Sequence, residues 1–140
     1  MPELPAKLEK DRVILVVIDL QESFRRLIHG MPEVLAASAR LIRFWHRLEL
    51  PILVTEQYPK GLGPTLGGLA SRLASPAIEK DTFSCMREPE FVSALEGAGR
   101  DQVIVTGIES HVCVMQTALD LLESDFVVHV PHDAVNSRRP

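Results

Sequence analysis

Gln102-Val-Ile-Val-Thr106, Gly107-Ile-Glu-Ser110, His111 to Glu123 and Phe126-Val-Val-His-Val130 follow one another late in the chain, and their order decides the fold. The first is an apolar, mostly β-branched run, the composition of a strand buried on both faces. The second is a tight turn. In the third, Val114, Ala118, Leu121 and Leu122 recur at helical spacing. The fourth reads as another strand, completing a strand–helix–strand unit with a right-handed crossover.

The same alternation extends toward the N-terminus, as a parallel sheet with crossover helices requires. Val13-Ile-Leu-Val-Val-Ile18 is a second doubly buried strand. Leu35, Leu41, Ile42, Trp45 and Leu48 give Pro32 to Leu48 a helical pattern, which Pro51 stops before a strand at Ile52-Leu-Val-Thr55. Tyr58 to Pro64 carries too many Gly and Pro residues for a regular element and reads as a loop. Weak helical character runs from Leu66 to Ala74, Thr82-Phe-Ser-Cys85 suggests a short strand, and Glu90 to Glu96 a short helix. Beyond the fifth strand only Pro131 to Pro140 remain, with no helix to cover that part of the sheet. Parallel sheets need cover on both faces, so either a partner subunit supplies it, in the homo-oligomer that is expected, or the chain is a shortened version of a longer fold.

Residues 1–140 read as a single α/β domain, long enough to bury roughly two-thirds of its unfolded surface. The net charge of −4 is scattered, with no basic patch interleaved with aromatics, so no nucleic-acid partner is expected. Met1 to Arg12 is polar, with Pro2 and Pro5, and does not read as a signal peptide. The longest apolar run has six residues, Val13 to Ile18, so no membrane span is expected. Cys85 and Cys113 then read as free thiols of a cytoplasmic protein.

Ligands of such sheets bind beyond the carboxyl ends of the strands. The polar residues there are Asp19, Glu56, Gln57, Glu109, Ser110 and Asp133. Asp19 is either a carboxylate capping the next turn or one held in a partly dry pocket, suited to proton transfer. Cys113 is either a small buried hydrophobe or, with Ser110 as N-cap, a thiol at the third helical position. There the helix dipole and unsatisfied N–H groups favour thiolate and could hold an oxyanion. Lys80 is a solvated charge unless it points back toward the thiol. The five histidines offer only His129-x-x-His132 at metal spacing, so no metal is expected. Gly61 to Gly68 lacks a following Lys-Ser or Lys-Thr and is no phosphate loop, so no cofactor is called for.

Val16-Val-Ile-Asp-Leu-Gln-Glu-Ser-Phe24, Leu53-Val-Thr-Glu-Gln-Tyr-Pro59, Lys80-Asp-Thr-Phe-Ser84 and Thr106-Gly-Ile-Glu-Ser-His-Val-Cys-Val114 together resemble the isochorismatase-like cysteine hydrolase superfamily. The resemblance implies a three-layer α/β/α fold of Rossmann-like topology, of which the C-terminal helix and last strand are missing here. It implies Cys113 as nucleophile, Asp19 as the base that takes its proton, and Lys80 as the charge that orients the pair. It also implies a cis peptide before Glu109, aiming the Glu109 and Cys113 N–H groups at one point as an oxyanion hole. The implied reaction is hydrolysis of an amide-type C–N bond in a small molecule through a thioester, with Phe24, Tyr58 and Phe83 as candidate substrate contacts. Nicotinamidases of this superfamily carry an Asp-x-His metal cluster where this chain has Glu56-Gln57-Tyr58. Thr55 to Gly63 is instead similar to the isochorismatase-domain-containing subgroup. A second reading is a binding or assembly protein that keeps the fold without activity.

Overall fold

Every residue of the apolar run Val13–Ile18 is buried, and this strand, β1, is the axis of the sheet. The computed structural model describes residues 7–140; the first six residues, with Pro2 and Pro5, lie outside the described residues. After β1 come α1 (Met31–Arg47), β2 (Ile52–Gln57), α2 (Pro59–Leu62), α3 (Gly67–Ala70) and β3 (Ile78–Lys80). Then follow α4 (Pro89–Ala98), β4 (Gln102–Ile108), α5 (Met115–Glu123), β5 (Val127–His129) and β6 (Val135–Asn136). The strands are all parallel, in the order β3-β2-β1-β4-β5, with β6 beside the end of β4. The chain winds outward from β1 to β3, then returns to β4 on the other side. The direction of winding therefore switches between β1 and β4, the place where such sheets open a crevice.

Alternate β1 side chains feed two cores, because successive strand residues point to opposite faces. Leu15 and Val17 pack with Val34, Ile42 and Trp45 of α1. Ile14, Val16 and Ile18 pack with Phe91 and Leu95 of α4 and Leu121 of α5. The result is the expected three-layer α/β/α arrangement. Among the described residues, no helix is long and apolar enough to cross a membrane.

Four segments differ from the sequence expectation. Within the Tyr58–Pro64 loop, Pro59–Leu62 closes a single helical turn behind Tyr58, whose backbone is left-handed at φ 37°. Thr82 to Cys85 is not a strand. β3 ends at Lys80, and Ser84 Oγ accepts from Met86 N–H to start a turn of 3-10 helix at Cys85–Arg87. The helix expected from His111 to Glu123 begins as a π-helical turn, Ser110–Val114, before α5. Past β5, the chain adds a 3-10 turn at His132–Ala134 and then β6, which pairs Val135 with Gly107 and Asn136 with Ile108. These residues take the upper half of β4, because β5 covers only Gln102 to Ile104.

Gly107 has to be glycine. A Cβ there would sit 2.0 Å from the Ile18 carbonyl oxygen, and its φ of 122° is foreign to other residues. This close approach brings the residues just past β1 against the turn that follows β4.

Candidate active site

Three strand ends converge on one buried point. Asp19, one residue past β1, is 1% exposed and sits in the left-handed region at φ 55°. Its N–H donates to the Thr55 carbonyl at 3.1 Å, and its Oδ1 accepts from the Thr55 hydroxyl at 2.8 Å. Lys80, the last residue of β3, is 2% exposed. Its Nζ lies 2.9 Å from Asp19 Oδ2 and 3.5 Å from Cys113 Sγ. The same ammonium donates to Gln57 Oε1 at 2.5 Å and to the carbonyls of Thr82 and Phe83 at 2.9 and 3.1 Å. These carbonyls explain the missing strand at Thr82–Cys85: the backbone there wraps a buried cation, which must be satisfied by nearby acceptors. Asp19, Lys80 and Cys113, the three catalytic candidates of the sequence, thus meet.

The electrostatics correct one expectation. Ser110 does not cap the helix; its hydroxyl shares a 2.7 Å hydrogen bond with Ser137. Cys113 therefore lies in the π turn ahead of α5 rather than in its first turn. Burial above all, then the Asp19 charge, push the Cys113 thiol up to about 12, against the downward pull of Lys80. Burial and the Asp19 charge thus outweigh Lys80 in setting the direction of the Cys113 shift. Burial works against the Lys80 ammonium, but the Asp19 charge, with smaller contributions from Cys85 and Cys113, leaves its pKa raised. The centre is the buried Asp19–Lys80 ion pair, with the Cys113 sulfur alongside the same Lys80 nitrogen.

The Ile108–Glu109 peptide is cis. Val112 and Val114 N–H both donate to the Glu109 carbonyl, at 3.1 and 3.2 Å. The Glu109 side chain accepts from Arg138 Nε at 2.7 Å. Glu109, Ser110, His111, Ser137 and Arg138 line a cleft of about 540 Å³. Ser137 ties its walls together, bonding Ser110 Oγ and, at 2.8 Å, His111 Nδ1.

The aromatic candidates are less concentrated. Phe24 packs, half-buried, against the α1-side core. Tyr58 and Phe83 are more than half exposed. Phe83 meets the site through its carbonyl, while its residue also lines a cleft with Arg87, Gln116 and Leu119. Among the described residues, no group of three or more His, Cys, Asp or Glu side chains could hold a metal.

Sequence reasoning missed three supports. Thr55 appeared only as the end of a strand, although its hydroxyl holds Asp19. Gln21, fully buried, donates to the Gln57 and Gly63 carbonyls and accepts from Gln57 N–H, fixing both ends of the Tyr58 loop. Cys85 lies behind the site, its N–H donating to Thr117 Oγ1 and its thiol to Thr55 Oγ1 at 4.0 Å. A polar residue inside or beside a buried strand was the available signal for Thr55 and Gln21.

A family model described as isochorismatase domain matches residues 13–140. Isochorismatase domain-containing protein 2A of Mus musculus is 42% identical over 126 residues, covering 89% of this chain and 60% of that protein. Isochorismatase domain-containing protein 2 of Xenopus laevis is 39% identical over 133 residues, 94% of this chain and 64% of that protein. The chain thus spans about three-fifths of the length of these curated relatives. A solved structure described as MAR1 ribonuclease from Caenorhabditis elegans superposes with a TM-score of 0.88 at 45% identity, covering 95% of this chain and 69% of that one. YcaC from Pseudomonas aeruginosa, solved with hexane-2,5-diol and covalent acrylamide, gives 0.91 at 25% identity over 97% of this chain and 70% of that one. The Escherichia coli YcaC product, described as an octameric hydrolase of unknown specificity, gives 0.85 at 25% over 99% and 69%.

Proposed function

The chain belongs to the isochorismatase family, and from that premise we propose that it is a cysteine hydrolase acting on an amide-type C–N bond of a small molecule. The single observation that carries this reading is the placement of Lys80 Nζ, 2.9 Å from Asp19 and 3.5 Å from the Cys113 sulfur, inside the protein.

Burial favours the protonated form of Cys113, so attack calls for a base at hand. Asp19 takes the Cys113 proton as the sulfur adds to the substrate carbonyl carbon. The carbonyl oxygen becomes an oxyanion, for which the Glu109 and Cys113 N–H groups are the donors. The Asp19 carboxylic acid then returns its proton to the departing amine, and the C–N bond breaks to leave a thioester on Cys113. Asp19 next deprotonates a water that attacks the thioester, releasing the carboxylic acid and restoring the thiol. Lys80 stays cationic throughout and holds the Asp19 carboxylate in place. The chemistry calls for no metal or cofactor. Tyr58 and Phe83 are the more accessible of the proposed substrate contacts, with Phe24 behind them. The covalent acrylamide on the Pseudomonas relative accords with a nucleophilic site in this fold. The octameric Escherichia coli relative and the exposed side chains of α5 accord with self-association.

A second reading, cleavage of RNA, is favoured by the likeness to the Caenorhabditis protein described as a ribonuclease. One experiment covers both: the protein and its Cys113→Ala variant are assayed against a panel of small amides and against RNA. Amide turnover that disappears in the variant supports the cysteine hydrolase. Amide turnover that survives it overturns the nucleophile assignment, and cleavage of RNA alone favours the second reading.

A further inference from the structure

Resting on the hydrolase reading above, we infer that Thr55 is a positioning residue that sets the orientation of the Asp19 carboxylate through a two-point clamp. A general base works only if one particular oxygen faces the proton it must take. Asp19 has left regular structure at that point, with a left-handed backbone that side-chain-bearing residues seldom adopt. Its conformation therefore has to be imposed by its neighbours.

Thr55 imposes it twice. Its carbonyl accepts the Asp19 N–H at 3.1 Å, fixing the backbone, and its hydroxyl donates to Oδ1 at 2.8 Å, fixing the carboxylate plane. With Oδ1 taken by Thr55 and Oδ2 by Lys80, the carboxylate cannot rotate without breaking a bond. Thr55 is itself fully buried in β2, paired with Ile18 of β1 on one side and Ile78 of β3 on the other. The direction of its hydroxyl proton is set from behind. Cys85 donates its S–H to Thr55 Oγ1 at 4.0 Å, leaving the single hydroxyl proton for Asp19, and Thr117 holds Cys85 through its N–H. The short hydrogen bond of the Thr55 hydroxyl is the one to Asp19, at 2.8 Å against 4.0 Å for Cys85.

The experiment measures acrylamide alkylation of Cys113 at neutral pH by mass spectrometry of the intact protein, with peptide mapping. It compares the wild type with Thr55→Val, which keeps the shape, and Thr55→Ser, which keeps the hydroxyl. Thr55→Val is expected to slow alkylation about tenfold or more, the loss of one hydrogen bond to a charged group. Thr55→Ser is expected to stay close to wild type. Circular dichroism melts of all three separate loss of folding from loss of orientation. Equal rates in wild type and folded Thr55→Val would overturn the inference, as would a Thr55→Ser protein as slow as a folded Thr55→Val protein. If Thr55→Val does not fold, a slow but folded Thr55→Ser protein overturns it and a fast one supports it. A folded wild type whose Cys113 does not react at all would instead overturn the hydrolase reading beneath it.

Discussion

Cys85 and Cys113 flank the same ion pair from two sides, yet they are built for different tasks. Cys85 is fully buried in the core beneath α4 and α5, its N–H on Thr117 and its thiol on Thr55. Cys113 keeps 7% of its surface exposed and has Lys80 at 3.5 Å. Acidity does not separate them: burial is the largest influence on both, pushing Cys85 up to about 11 and Cys113 to about 12. Contact with Lys80, which holds the base, and a path to solvent do. A low resting pKa marks many reactive cysteines, but here reactivity has to be supplied at the moment of attack by Asp19.

Alanine at each position breaks the comparison most visibly. Cys113→Ala is expected to abolish amide turnover while retaining the fold. Cys85→Ala is expected to retain turnover, lowered only as far as its support of Thr55 matters. It should cost about 1–2 kcal/mol of stability in a denaturant melt, because a fully buried atom and a weak hydrogen bond are lost. Reversed results, with Cys85 essential and Cys113 dispensable, would exchange their roles.

A smaller effect should appear in the pH dependence of stability. Both thiols have pKa values raised above their ordinary 9.0, so the folded state favours their protonated forms. Their contribution is present in full below about pH 9 and is lost as the pH climbs through 11 toward 12. Lys80, also raised, acts in the same direction. The melting temperature should therefore fall as pH rises above 9, and fall less steeply in a Cys85→Ala, Cys113→Ala double variant. An unchanged slope would mean that the thiols do not titrate with unfolding.

The fold was legible because burial on two faces leaves a plain mark: Val13–Ile18 and Gln102–Thr106 are nearly unbroken apolar runs, and only parallel sheets ask for those. Asp19 was legible through its strand-end placement, and its meeting with Lys80 and Cys113 through the family resemblance. The turn after Lys80 was not, because Thr82 and Phe83 bend to satisfy a cation whose burial no local pattern announces. The π turn at Ser110–Val114 escaped for a similar reason, since Ser110 bonds Ser137 across 27 positions instead of capping its own helix. The direction of the Cys113 shift escaped because the sequence displays a helix start, whereas burial, a tertiary quantity, outweighs it.

The account's central claim is that Asp19 makes a protonated Cys113 reactive. The most direct measurement is the acrylamide alkylation rate of both cysteines at pH 7, in the wild type and in Asp19→Asn. The account predicts modification of Cys113 but not Cys85 in the wild type, slowed about 10²-fold or more in the variant, the scale of a lost general base. Alkylation of Cys113 at the same rate in Asp19→Asn, or of Cys85 as fast as Cys113, would contradict it.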